Sequence, residues 1–398
     1  MEYNVRCVQK MVFICFLLFF SIVQAQDPPG PIIIGATVSE TGGYHEPSLM
    51  IKKAFHLWVD EINDGGGLLG RKIKLILYDD QSDKALVKSL YEKLLVQDQV
   101  DLVFSPYSTP LTLGASEITE THKKLMLAIA AAAEKPWERG FRYLFQLYAP
   151  AKRQFIGLLD MMAQNKLNTL SLLYDETSEF NLDMIRGVEQ WAAIFKINIL
   201  YKQGFNDGKS QLPGLVAQAR THDAHGLVLS AYPPDSYELI RILKETRYSP
   251  TVLGMPITPA HPDFYKRVGE MADCVFGPSQ WEPSERIPFP GTKRFIDEFT
   301  AFSGHLPSFH AASAYSACQL MEKAVIQAQS LDNDKMRDYI AALDTVTVLG
   351  RFKVDPSGKQ VGHNSFLIQW QEGKKEIVWP GKMKTAPAKF KAPQTKTE

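Results

Sequence analysis

Short apolar runs and amphipathic helical stretches alternate along this chain from Ile32 almost to its end, and no other feature restricts its fold as tightly. Ile32 to Val38 is an apolar run that closes in polar Ser39-Glu40-Thr41-Gly42-Gly43. Pro47 then opens a helix in which Ile51, Ala54, Phe55, Trp58 and Ile62 share one stripe, the spacing of a single buried face. Gly65-Gly66-Gly67 stops it. Ile73, Leu75 and Leu77 alternate as a strand, and Ser82 is placed to cap the next helix, which would bury Leu86, Leu90 and Leu94. Strands over Val100 to Phe104 and Leu125 to Ala130 follow, with a helix between them.

The rhythm restarts after Pro150. Helices over Gln154–Gln164, Phe180–Phe195, Leu212–Thr221 and Asp235–Thr246 each precede a strand, over Thr169–Tyr174, Ile197–Tyr201, Gly226–Ser230 and Thr251–Met255 in turn. Two longer helices, Thr292–Phe302 and Ser308–Gln329, come before closing strands at Arg351–Val354 and Phe366–Trp370. Alternating strands and helices make parallel sheets covered by helices on both faces. Two such runs predict an α/β fold of two similar lobes, each a parallel-rich sheet flanked by helices. From Lys382 the chain is rich in Lys, Pro, Thr and Ala and reads as a loose tail.

The N-terminus reads as an address rather than as fold. Arg6 and Lys10 precede an apolar run from Met11 to Phe20, and Val23 and Ala25 are the small residues of a cleavage site. That is the pattern of a secretory signal peptide spanning residues 1–25. The run is shorter than the roughly 20 residues of a spanning helix. No Leu-x-Gly-Cys pattern stands at the cut, so a lipid anchor is not expected. The remainder is longer than one core usually serves, which again favours two domains. Lys plus Arg equals Asp plus Glu, 44 each, so net charge offers no argument for a nucleic-acid partner. Cys274 and Cys318 are the cysteines outside the signal; an exported protein could join them, but buried free thiols suit them as well.

Several apparent motifs fail on context. Gly65, Gly67 and Gly70 spell G-x-G-x-x-G but follow a helix and precede a strand, the reverse of a dinucleotide site. A phosphate loop fails too, because Ile73 stands where Ser or Thr is needed. His222 and His225 sit at a helix end without a third ligand nearby, so no metal site is expected. Asp79-Asp80 ends a strand, where turn formation accounts for it. No nucleophile–base pattern is found, and neither catalysis nor a cofactor is expected.

What remains lies at strand ends, where parallel sheets bind ligands. The strand ending at Phe104 runs into Ser105-Pro106-Tyr107-Ser108-Thr109-Pro110. Thr109 reads as an N-cap and Pro110 as the first helical residue, so open N–H groups there would attract an anion such as a carboxylate. Ala130 to Ala133 is a run of small residues that lets backbone approach a ligand. Tyr232 ends another strand, and Trp281 follows the strand at Cys274–Gly277. Each aromatic suits a core; their shared position at strand ends suits a site.

These segments together resemble a known family. Ser39-Glu40-Thr41-Gly42, the run from Ile62-Asn63-Asp64-Gly65 to Gly70-Arg71-Lys72, Tyr78-Asp79-Asp80, the Pro106–Thr109 loop, the Tyr232 loop and Ala311-Ala312-Ser313-Ala314-Tyr315 are similar to the leucine/isoleucine/valine-binding proteins of ABC importers. The resemblance runs from about Ile32 to Trp370 and implies the type I periplasmic binding fold, a clamp whose three crossing segments let two lobes close on one ligand. It implies lobe one over 31–149 plus 283–347, lobe two over 150–282 plus 348–380, and a tail over 381–398. Tyr107, Ser108 and Thr109 match the carboxylate-binding loop, and Ala130 and Ala132 the next loop. Phe180 and Tyr232 match second-lobe contacts, and Phe309 lies near a side-chain pocket. It also implies a periplasmic protein, acting as a monomer with a membrane permease as partner and a small-molecule ligand.

Two departures bear on that ligand. The family's amino-acid binders carry threonine where this chain has Ala132, and a glutamate for the ligand's ammonium where it has Pro256-Ile257. A buried ammonium without a counter-charge costs several kcal/mol. The expected ligand is therefore less polar: a carboxylate or amide anchored at Thr109, with an apolar or aromatic body against Tyr107, Phe180, Tyr232 and Trp281. A sensory protein that reports to a receptor would share this fold and site, and an α/β enzyme is the alternative of another class.

Overall fold

The computed structural model describes residues 30–391; the expected signal peptide and the last residues of the tail lie outside them. The first lobe opens with β1 (Ile32–Val38), α1 (His45–Asp64), β2 (Ile73–Asp79), α2 (Lys84–Glu92), β3 (Leu102–Val103), α3 (Thr109–Thr121), β4 (Met126–Ala128) and β5 (Leu144–Gln146). Its sheet has the order β2-β1-β3, all parallel, and β4 and β5 form a separate parallel pair. The α1 stripe is as read: Ile51, Ala54, Phe55 and Trp58 are buried, while Ile62 is half-buried. Phe55 stacks on Phe104 with centroids 4.7 Å apart, and Trp58 meets the same ring edge-on at 6.0 Å. Such pairs add about 0.5–1.5 kcal/mol each beyond their buried area.

The second lobe contains α4 (Ile156–Gln164), β6 (Thr169–Asp175), α5 (Glu179–Phe195), β7 (Asn198–Phe205), α6 (Gly208–Thr221), β8 (Gly226–Ser230), α7 (Pro233–Thr246), β9 (Val252–Gly254), α8 (Phe264–Val268) and β10 (Val275–Ser279). The chain continues through α9 (Thr292–Ser303), α10 (Phe309–Ala328), α11 (Asn333–Ala342), the hairpin β11 (Thr345–Val346) and β12 (Arg351–Phe352), then β13 (Phe366–Gln371) and β14 (Lys374–Trp379). The large sheet is ordered β14-β13-β10-β9-β8-β6-β7. It is parallel from β7 to β10, and β13 and β14 add an antiparallel edge. No helix among the described residues is long and apolar enough to cross a membrane.

Two expectations need correction, and one alternative is decided. Asp83, not Ser82, caps α2: its carboxylate accepts from the Ala85 and Leu86 N–H groups at 2.6 and 2.9 Å. Ser82 instead accepts from the Tyr44 N–H and donates to the Thr41 carbonyl. The tail is not loose as far as Lys391. The Gln369 side-chain amide brackets Lys389 at 2.6 and 2.9 Å, Gln371 donates to the Pro387 carbonyl, and Phe390 packs on Phe276. Cys274 and Cys318 are free thiols, one half-buried and one buried.

Candidate functional site

The acidic pair at the end of β2 builds one wall of the site by holding the loop after β1. Asp80 is buried and accepts from Thr37 Oγ1 at 2.7 Å and Ser39 Oγ at 2.5 Å. Asp79 accepts from the backbone N–H groups of Glu40 and Gln81 at 2.9 and 2.8 Å. Gly42 crosses the tip with φ +84°, and a Cβ there would stand 2.5 Å from the Gln81 carbonyl, so only glycine fits without a shift. This turn fixes Tyr44, whose ring lies 4.7 Å from Tyr232 of the second lobe and 5.5 Å from Tyr107 of the first.

Strand-end residues of both sheets meet around one cavity. Tyr107 after β3, Ala130 after β4, Tyr148 after β5, and Phe309 and His310 at the start of α10 come from one side. Phe180 at the start of α5, Tyr232 after β8, Ile257 after β9, and Pro278 and Gln280 of the β10 end come from the other; Gln154, just before α4, completes the lining. The rings crowd together: Phe180 and Tyr232 are 5.7 Å apart, Tyr107 and His310 5.3 Å, and Tyr148 and Phe309 5.6 Å. They leave about 20 Å³ between them, room for about one water. In this arrangement the rings of the two lobes touch each other.

Of the residues expected from sequence, Tyr107, Ala130, Phe180, Tyr232 and Phe309 line this cavity. Ser108, Thr109, Ala132 and Trp281 do not. Ser108, rather than Thr109, is the N-cap of α3; its hydroxyl accepts from the Leu111 N–H at 3.4 Å. Ser108 has φ +77° and ψ 154°, a region that residues other than glycine enter at a cost of about 1–3 kcal/mol. Thr109 is therefore the first helical residue and Pro110 the second. The Thr109 hydroxyl accepts from the Ala132 and Ala133 N–H groups at 3.2 and 3.3 Å, tying the two loops together one layer behind the cavity. Trp281 is fully buried against Phe295 of α9. Strand β10 runs to Ser279, two residues beyond the expected end, so it is Gln280 that lines the cavity and its neighbour that packs in the core.

Tyr44, Tyr148, Gln154, Pro278, Gln280 and His310 carry no signal in the sequence that marks them for a site. Ile257, at the position where the resembling proteins place glutamate, also lines the cavity. It sits at φ +61° and ψ −68°, the centre of a γ-turn closed by the Thr258 N–H on the Pro256 carbonyl at 2.6 Å. That conformation is rare and strained, and for a β-branched side chain it is an outlier. Strain of this kind concentrates at ligand clamps.

The lining holds no Asp, Glu, Lys or Arg. Burial pushes the hydroxyl pKa values of Tyr107, Tyr148 and Tyr232 well above the ordinary tyrosine value and that of the His310 imidazole well below its own, so all four stay neutral. Charges lie outside, bridging the lobes. Glu46 of α1 accepts from the Tyr237 hydroxyl at 3.1 Å, stands 2.8 Å from His261 Nδ1, and pairs with Arg267. On the other side, Asp183 of α5 accepts from the Glu134 N–H at 2.8 Å, and Lys135 pairs with Glu179. Among the described residues no group of three or more His, Cys, Asp or Glu is placed to hold a metal.

A family model for periplasmic binding proteins matches residues 31–375. The chain belongs to that family. A Leu/Ile/Val-binding protein homologue of Brucella abortus is 22% identical over 361 residues, covering 85% of this chain and 88% of the relative. Among solved structures, the branched-chain amino acid binding protein LivJ of Streptococcus pneumoniae, in complex with isoleucine, superposes with a TM-score of 0.78 at 20% identity, covering 88% of this chain and all of the other. A solute-binding protein of an ABC transporter from Rhodopseudomonas palustris, in complex with 3,4-dihydroxybenzoic acid, gives a TM-score of 0.75 at 19% identity, covering 87% and 95%. At such identities the likeness establishes the fold, the two-lobed α/β periplasmic binding fold that the doubled strand–helix rhythm predicts.

Proposed function

We propose that this chain is the periplasmic solute-binding protein of an ABC importer, and that its lobes close on a small aromatic or apolar carboxylate or amide rather than on an amino acid. The observation that carries the ligand class is an aromatic cavity without a single charged side chain. An amino acid would bring its ammonium group into that cavity with Ile257 where a counter-charge is needed. Leaving such a charge buried and unpaired costs several kcal/mol. An aromatic body, in contrast, would replace ring-to-ring contacts with ring-to-ligand contacts of the same kind. A carboxylate end would sit toward the start of α3, beside Tyr107, where the partial positive charge of the helix favours an anion. The Rhodopseudomonas relative that holds a dihydroxybenzoic acid supports the aromatic class. In this reading the protein is a monomer, exported by residues 1–25, and performs no chemical step on its ligand.

The lobes would comprise 31–149 plus 283–347 and 150–282 plus 348–380, with one amendment. The Gln146 N–H donates to the Gly358 carbonyl at 2.8 Å and its side chain accepts from the Gln360 N–H at 3.1 Å, which supports moving the last crossing beyond Gln360.

A thermal-shift panel tests the ligand class. A site-specific ligand present at 100 times its Kd stabilises the folded protein by about 2.7 kcal/mol. Benzoate, hydroxybenzoates and benzamide are expected to raise the melting temperature, while leucine, isoleucine and valine leave it unchanged. Stabilisation by leucine or valine alone overturns the proposal.

A further inference from the structure

Two polar atoms in the cavity wall have no partner within the fold. The Tyr148 hydroxyl and His310 Nε2 are buried and unbonded. Ser313 lies near the Tyr148 hydroxyl, but outside hydrogen-bond geometry, and its own proton goes to the Ile129 carbonyl. The other ring nitrogen of His310, Nδ1, stands 3.5 Å from Ser308 Oγ, so Nε2 is the nitrogen free to face a guest. Both residues line the same small cavity, and both are held from behind. Tyr148 follows β5, whose Gln146 is pinned by Gly358 and Gln360, and His310 is stacked on Phe309 with centroids 4.0 Å apart. Buried groups of this kind find a partner in most folded proteins, and two exceptions on residues that line one cavity are placed to bond a guest there.

We propose that Tyr148 and His310 together form the specificity-determining polar subsite of the cavity, reading one neutral oxygen of the ligand, a hydroxyl or an amide carbonyl. The inference rests on the aromatic reading above and names what distinguishes one aromatic ligand from another. A tyrosine hydroxyl and a neutral imidazole each donate or accept one hydrogen bond, so a phenolic hydroxyl can satisfy both at once. A carbonyl oxygen can accept from both when the imidazole proton is on Nε2. No Lys or Arg lines the cavity, so a carboxylate at this subsite would have no ion-pair partner in the wall. A site built to bond a ligand hydroxyl discriminates strongly against the analogue that lacks it, because the site's own polar atoms are then left bare.

The test uses matched probes on the mature protein: 4-hydroxybenzoate against benzoate, and 4-hydroxybenzamide against benzamide, by titration calorimetry. In the unmodified protein the hydroxylated member of each pair is expected to bind about tenfold tighter or better. Tyr148→Phe keeps the ring, and should reduce that ratio to below about threefold, the loss falling on the hydroxylated member of each pair. His310→Phe should do the same. A second measurement needs no ligand: Tyr148→Phe removes a bare buried hydroxyl, so the melting temperature of the ligand-free protein should rise or stay level. A fall in that temperature means the hydroxyl is already bonded within the fold and overturns the proposal. Equal binding of hydroxylated and plain probes overturns it while leaving the aromatic reading standing. Failure of all four probes alongside binding of leucine overturns both.

Discussion

Thr109 illustrates how one side chain can serve the fold and a site at once. Its hydroxyl accepts from two N–H groups of the alanine run, both buried. Thr109→Ala would leave those donors bare, which costs about 1–3 kcal/mol, and Thr109→Ser would restore the bonds. Urea denaturation of the ligand-free protein measures this directly, and an alanine variant as stable as the parent would refute the tie between the loops. The sequence could place a hydroxyl at the start of this helix but not say which residue was the cap. Ser108 and Thr109 are both good caps by type, and the backbone of Ser108, at φ +77°, decides between them. The same single-residue margin separates Gln280, which lines the cavity, from Trp281, which packs in the core.

Helices α1, α9 and α10 meet at a pair of carboxyl groups. Glu61 and Glu298 face each other beside Arg294 and Tyr315. As two carboxylates neither could donate, and Glu61 Oε1 and Glu298 Oε2 are both buried without a hydrogen-bond partner; a shared proton satisfies both. Burial, reinforced by the bond to Glu298, pushes the Glu61 pKa up to about 7. A carboxyl whose pKa is raised on folding contributes stability that is complete below its ordinary value and disappears as pH rises through the raised one. The protein should therefore lose stability between about pH 5 and 8, by an amount on the order of 1–2 kcal/mol once screening is allowed for. Glu61→Gln should flatten that slope in melting curves taken across the range; an unchanged slope would exclude the shared proton.

Elements themselves were legible where their pattern was long. Strand β8 was read to the residue, and the α1 stripe nearly so. Strand β5 escaped because its three residues, Leu144–Gln146, are too few to show a period. Helix α11 buries only Met336 and Ile340, which leaves no apolar face to read. Strand β14 begins Lys-Lys-Glu, the charged composition by which edge strands avoid mispairing, and it is the edge of its sheet.

At the scale of the whole molecule, Glu46 is the contact to watch. It joins α1 of one lobe to Tyr237, His261 and Arg267 of the other. Burial opposes its ionisation, but the bonds and charges of His261, Arg267 and Tyr237 outweigh this and lower its pKa. Its contribution is thus present above the ordinary carboxyl pKa and lost as pH falls through the lowered one. Glu46→Gln at neutral pH should shift ligand-free protein toward open forms, seen as a larger radius of gyration in X-ray scattering. Affinity for the tightest probe of the panel should weaken about three- to tenfold, because binding scales with the closed fraction. Unchanged scattering and affinity would show that the remaining contacts between the lobes hold them together without Glu46. The side chains that face the cavity stand at or just past strand ends or at helix starts, where the ladder no longer constrains their type. Substitutions there leave the sheets intact, so a lineage with this scaffold is free to change its diet by a few exchanges at strand tips while inheriting its architecture whole.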